Sequence, residues 1–172
     1  MKLETKRLIL RPMAPSDLDA ISLIFTDLKV MAAFDSEPLN PDQVKAWLDR
    51  NLNHQKKHGY SLFAVILKAN NRLIGNCGLT EYTIEGKREL EIGYDFQSDY
   101  WGQGFATEAA TAVRDYAVTV LEEPRLIGLV RQTNHASSRV LEKIGMYKEK
   151  DLDLKGINYG LFSTLKKRHG VA

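Results

Sequence analysis

The stretch that most constrains this chain runs from Glu91 to Thr107. It reads as a strand, Glu91-Ile92-Gly93-Tyr94-Asp95-Phe96, a short loop, and a glycine turn, Trp101-Gly102-Gln103-Gly104-Phe105-Ala106-Thr107. A helix follows to about Leu121, with apolar residues at Phe105, Ala109, Ala112, Val113, Tyr116, Ala117, Val120 and Leu121, which is helical spacing. Pro124 then precedes another apolar strand, Arg125–Val130. A strand–helix–strand unit of this length makes its two strands parallel neighbours joined by a right-handed crossover. A glycine turn that opens a helix also leaves several N–H groups without partners at the positive end of the helix dipole, which is an anion site.

The flanking segments supply the rest of the sheet. Arg7–Arg11 reads as a strand stopped by Pro12, and Pro15 opens a helix with Leu18, Ile21, Phe25 and Leu28 on one face. Met31–Leu39 reads as loop. Asn40-Pro41-Asp42-Gln43 is a helix start, with Val44, Trp47, Leu48 and Leu52 as its stripe and Gly59 as its stop. Tyr60–Leu67, Arg72–Thr80 and Glu89–Phe96, joined by turns at Asn70-Asn71 and Glu85-Gly86-Lys87, predict three antiparallel strands. Asn134 caps a last helix with Val140, Leu141 and Ile144 inward and Gly145 as its stop; Tyr147–Leu154 and Ile157–Leu165 close the chain as a hairpin. The basic tail Lys166–His169 reads as a solvated terminus. The expectation is an α/β fold: a mixed, mostly antiparallel sheet of about seven strands, with one parallel crossover and helices on both faces.

Composition narrows the classes. The 172 residues are 44% hydrophobic and 27% charged, enough for one domain spanning 1–172 with a core of its own. A net charge of +2 gives no reason to expect nucleic acid or a membrane surface as partner. No apolar run approaches the roughly 18 residues a membrane span needs, and Met1–Thr5 lacks the apolar region of a signal peptide. Cys77 is the one cysteine, so an internal disulfide is ruled out and a reducing cytoplasm is expected. The four histidines show no ligand spacing, and no metal is expected. The turn is not a dinucleotide fingerprint: Thr107 stands where the third glycine or alanine belongs, and Glu122 lies at a helix end rather than a strand end.

Three blocks in order, Glu91-Ile-Gly-Tyr94, Trp101-Gly-Gln-Gly-Phe-Ala-Thr-Glu108 and Asn134-His-Ala-Ser-Ser-Arg-Val-Leu-Glu-Lys-Ile-Gly145, together with the opening Glu4–Arg11, resemble the GNAT superfamily of N-acetyltransferases. Within it they are most similar to the ribosomal-protein alanine N-acetyltransferase branch. The resemblance covers essentially the whole chain, with Trp101 standing where the family has Gln or Arg. It implies that the amides of Trp101, Gly102, Gln103, Gly104, Phe105, Ala106 and Thr107 hold the diphosphate of acetyl-CoA. It implies that the backbone of Tyr94, Asp95 and Phe96 pairs with the pantetheine arm, and that Asn134 also meets that arm. The acceptor would be a primary amine, on a protein N-terminus or a small molecule, and the protein a monomer or homodimer.

Acetyl transfer needs a neutral amine. An α-amino group, pKa about 7.7–8.0, is roughly a quarter neutral at pH ~7.4, whereas lysine, at about 10.4, is almost wholly charged. A carboxylate base therefore has work to do. Glu91 is the first candidate, because Glu89, Glu91, Gly93 and Asp95 share one strand face and superfamily members often place a glutamate base here. The same alternation fits a solvated sheet face, so the residues alone leave both readings open. Glu81, at the end of the preceding strand, is the second candidate. For the leaving thiolate, many relatives use a tyrosine seven residues after the asparagine; that position here is Leu141. The branch resemblance points to Ser137 instead, although Ser137 and Asn134 also suit simple helix capping. Tyr60 and Met31–Pro38 are candidate walls of an acceptor pocket. The alternative from another class is a non-catalytic sensor that binds coenzyme A and turns nothing over.

Overall fold

The computed structural model describes residues 2–164. Eight strands form one sheet: β1 (Leu3–Glu4), β2 (Leu8–Pro12), β3 (Leu62–Leu67), β4 (Arg72–Ile84), β5 (Lys87–Phe96), β6 (Ile127–Arg131), β7 (Tyr147–Leu154) and β8 (Ile157–Ser163). Their order is β1-β2-β3-β4-β5-β6-β8-β7, and among the described residues β5–β6 is the one parallel pair. The helices are α1 (Leu18–Phe25), α2 (Leu28–Ala32), α3 (Pro41–His58), α4 (Phe105–Thr119) and α5 (His135–Lys143). This is the mixed, mostly antiparallel α/β architecture read from the sequence.

Both faces of the sheet are covered, which is why β3 is an unbroken apolar run, Leu-Phe-Ala-Val-Ile-Leu. On one face Leu10, Val65, Ile74, Leu79, Leu90, Ile92 and Phe96 pack against Phe105, Ala109, Val113 and Tyr116 of α4 and Leu141 of α5. On the other, Ala64, Ile66 and Leu73 pack against Ile21, Ile24 and Phe25 of α1 and Val44 and Leu48 of α3. Each fully buried leucine or isoleucine contributes about 1.5–3 kcal/mol. The alanines of α4 (Ala109, Ala110, Ala117, all fully buried) let its axis lie close to the sheet. That closeness fixes where the first turn of α4 points.

Local chemistry sets the ends as read. Asn40 accepts from the Gln43 N–H at 2.9 Å while the Gln43 side chain accepts from the Asn40 N–H at 2.8 Å. Gly59 ends α3 at φ +79°, a left-handed conformation that favours glycine.

Four details differ. Leu28 is 71% exposed rather than inward, because α1 stops at Phe25. Asp27 then caps a new helix, α2, which takes up Met31 and buries it where loop was expected. Val120 is exposed because α4 ends one residue earlier. The hairpin strands β4 and β5 run on to a two-residue turn, Glu85-Gly86, with both φ values positive (50° and 76°). Leu165 and the tail Lys166–His169 lie outside the described residues.

Candidate active site

β5 and β6 share one register pair, Glu91 with Ile127. Beyond it each strand stays with its outer neighbour: β5 pairs with β4 as far as Phe96–Gly75, and β6 with β8 as far as Arg131–Tyr159. The two parallel neighbours therefore separate and a gap opens between them. The Gln97 N–H donates to Ile74 of β4 at 3.0 Å. By strict alternation the main-chain groups of Tyr94 and Phe96 face the gap, while those of Asp95 face β4. The Phe96 carbonyl is taken by the Trp101 indole N–H at 2.8 Å. That bond gives the tryptophan at the Gln/Arg position its role, and it leaves the Tyr94 main chain and the Phe96 N–H for an arm lying in the gap. The Tyr94 hydroxyl spans the gap and donates to the Ser137 carbonyl at 2.7 Å, tying β5 to α5. A cavity of ≈ 850 Å³ occupies this region, with Glu91, Gly93, Tyr94, Asp95, Asn134 and Ser137 in its wall.

The glycine turn lies just past the gap. Gly102 and Gly104 sit at φ +72° and +80°, where a side chain is strained. The Trp101 N–H donates to the Ser98 carbonyl, so it leaves the expected donor set. Among the described residues no protein acceptor meets the N–H groups of Gly102, Gln103, Gly104, Phe105, Ala106 or Thr107. Six open donors at the start of a helix make an anion cradle.

Arg7, which the sequence reading passed over, braces this cradle. Its Nη1 donates to the Gln103 carbonyl at 2.9 Å, its Nε to Glu108 at 2.7 Å, and its guanidinium lies 4.3 Å from the centre of the Phe105 ring. Glu108 also accepts from the Arg7 N–H at 2.8 Å and the Thr5 hydroxyl at 2.5 Å. Burial works against the Glu108 charge, but Thr5 and Arg7 outweigh it and hold the carboxyl below its usual range. Arg7 and Glu108 cancel each other, so positive potential at the turn comes from the amides and the helix dipole. The opening Thr-Lys-Arg carried the signal, but no local spacing links residues a hundred positions apart.

The carboxylates that share one face of β5 separate into two kinds. Glu89 is ion-paired to Arg125 at 3.0 Å, and Arg125 in turn to Glu149 at 2.5 Å. Glu91 is half-buried, with no ion pair among the described residues. Burial pushes its pKa up to about 8, against a smaller lowering by the Leu129 N–H, and Asp95 pushes the same way as burial. Asp95 is raised to about 6, again by burial, with a small lowering from Asn76. Asn76, its partner across β4–β5, is fully buried, and neither its Nδ2 nor its Oδ1 meets a partner at hydrogen-bond geometry.

Glu81, the second candidate base, is elsewhere. It pairs in register with Leu90, so it shares the α4 face rather than the face of Glu91. There it accepts from Arg88 at 2.7 Å and from the Tyr60 hydroxyl at 2.8 Å, which hold its pKa low. Tyr60 goes with it and leaves the acceptor wall, whereas Met31, Ala33, Phe34 and Ser36 do line the cavity.

On α5, Asn134 caps the helix by accepting from the Ser137 N–H at 3.1 Å. Both residues line the cavity, and the Ser137 hydroxyl has no protein partner among the described residues. Leu141 is a core residue at 1% exposure, wedged over Gly128, whose absent Cβ would stand 2.5 Å from it.

The chain is similar to known proteins over most of its length. A family model described as acetyltransferase (GNAT) domain matches residues 7–147. YkkB of Bacillus subtilis (strain 168) is 36% identical over 152 residues, covering 88% of each chain. The Bacillus licheniformis N-acetyltransferase p20 is 32% identical over 178 residues, covering 97% of each. Among solved structures, a GnaT-family acetyltransferase from Bordetella pertussis superposes with a TM-score of 0.83 at 19% identity, covering 96% of this chain and 99% of that one. Structures named as ribosomal-protein acetyltransferases share the fold at 20% identity or less, which speaks for the fold alone. With its parted parallel strands, its open helix-start amides and a family match over most of its length, the chain belongs to the acetyltransferase (GNAT) domain family.

Proposed function

We propose that this chain moves an acetyl group from acetyl-CoA to a primary amine by direct attack on the thioester, with no covalent enzyme species. The observation that carries the reading is the pairing of an unzipped β5–β6 gap with six unpartnered amides from Gly102 to Thr107. Coenzyme A suits that pairing. A diphosphate answers the amides, and an amide-bearing arm answers the Tyr94 main chain and the Phe96 N–H, as an added strand would. The half-buried thioester end then faces Glu91, Asn134 and Ser137.

Glu91 is the base in this reading. With a pKa of about 8 it sits beside that of an α-amino group, about 7.7–8.0, so proton transfer between them is nearly balanced. A main-chain N–H near Ile92–Tyr94 meets the developing oxyanion. The Ser137 hydroxyl donates a hydrogen bond toward the departing sulfur rather than a full proton, since serine is a weak acid. The single cysteine, buried in β4, suits a reducing cytoplasm.

The test is release of coenzyme A from acetyl-CoA with a panel of peptide N-termini, small amines and polyamines. Turnover with at least one amine supports the enzyme. Tight coenzyme A binding with no turnover on any of them overturns it in favour of a sensor.

A further inference from the structure

Asp95 has no part in the chemistry above, and its surroundings are unusual. Its carboxyl lines the cavity without a cation, while Glu89 on the same strand face has one. Two cations share the cavity wall, Arg131 and Lys155, and Arg131 pairs instead with Asp35 at 3.9 Å. Behind Asp95 lies Asn76, directly across the antiparallel pair, where facing Cβ atoms stand about 4.5–5.5 Å apart. Asn76 is fully buried with both polar atoms unsatisfied, a costly arrangement that natural cores avoid without a reason. The wall on this side is otherwise apolar and aromatic, from Phe25, Met31, Phe34, Trp47 and Leu62.

We propose that Asp95, positioned by Asn76, is an acceptor-recognition site that takes a second cationic group of the amine substrate, carried on an apolar stem. The geometry matches each part: a carboxylate for the charge, and aromatic and aliphatic side chains for the methylenes. Asn76 acts through Asp95: its side chain already lowers the Asp95 pKa without reaching full hydrogen-bond geometry, and a cation that draws the charged carboxylate into place closes that contact. Burial that disfavours the lone Asp95 charge is offset by the arriving cation, which makes binding selective for a diamine over a monoamine of the same length, whose far end is an uncharged methyl. The proposal rests on the enzyme reading for the identity of the reacting amine, but not for the binding itself.

The experiment therefore reads binding and turnover separately. Calorimetry on the full chain with coenzyme A present compares 1,5-diaminopentane, lysinamide and n-pentylamine, for the wild type, D95N and D95E. At least one dication should bind about tenfold or more tightly than n-pentylamine, as expected for a charge-assisted hydrogen bond. D95N should bring that ratio close to one and D95E should restore part of it. Whichever dication is preferred distinguishes a free diamine from a basic residue at a peptide N-terminus. Equal binding of all three amines by the wild type overturns the proposal, whether or not thioester is consumed. So does a preference that survives in D95N, or a D95N effect confined to coenzyme A affinity, which would place Asp95 on the donor arm. Dication binding through Asp95, together with no turnover of any amine in the full panel, would leave this site standing while defeating the enzyme reading.

Discussion

The two ends of β5 carry the same alternation of acid and apolar residue and have opposite fates. Near its start, Arg88 is tied to Glu81 at 2.7 Å and Glu123 at 3.1 Å, and Glu89 to Arg125 at 3.0 Å. β5 meets β6 at Glu91, in its middle. Past that point the parallel neighbour leaves: β5 stays paired only with β4, Glu91 and Asp95 have no cation beside them among the described residues, and the Tyr94 main chain faces the gap. One strand thus anchors the sheet with one half and offers its chemistry with the other. Charge alone does not separate the halves; the presence of an arginine within reach does.

That contrast is breakable. The largest effect is expected just beyond the open end, at the turn. Gly104→Val forces a β-branched residue into φ +80° with Arg7 Nη2 3.5 Å from its Cβ, and coenzyme A affinity by calorimetry should fall about a hundredfold or more. Next, Glu91→Gln should lower kcat by about 10²–10⁴-fold and remove the rise of activity through pH 8. The same substitution carries a stability signature. A folded-state pKa raised to about 8 means the folded chain keeps a proton the unfolded chain releases, so stability falls as pH climbs from about 4.5 to 8. Glu91→Gln should therefore melt above the wild type at pH 8 and level with it at pH 4.

The anchored end answers in stability instead. Arg125→Met strands two partly buried carboxylates, Glu89 and Glu149, and should cost about 2–3 kcal/mol in urea unfolding. Turnover at saturating substrates should change much less. Ser137→Ala should lower kcat about fivefold or less with an unchanged melt, because the Asn134 cap is met by the Ser137 N–H and not by its hydroxyl. A loss of stability there would make Ser137 structural. Asn40→Ala, far from both ends, should cost about 1 kcal/mol and leave kinetics alone.

Much of this arrangement was legible in the residues because local chemistry decides it. Asn40-Pro41 and Gly59 bracket α3, Gly104 opens α4, and alternation along Glu89–Phe96 places the acids on one face. The parallel crossover followed from connection length. What escaped was set by residues distant in sequence. No spacing says that Arg7 will brace a turn a hundred residues on, or that Trp101 will cap Phe96 with its indole. Glu81 stood as the second candidate base until register put it opposite Leu90. α2 was missed because its stop and start, Thr26-Asp27, sit inside an apolar pattern that continues in phase to Leu28.

The most direct measurement is the amide ¹H–¹⁵N spectrum of the full chain titrated with coenzyme A. The account predicts that Gly102, Gln103, Gly104, Phe105, Ala106, Thr107 and Tyr94 move together and saturate at one affinity, while the Gln97 and Trp101 N–H groups, already paired in the protein, move little. Saturable binding that leaves the Gly102–Thr107 amides unshifted would contradict it.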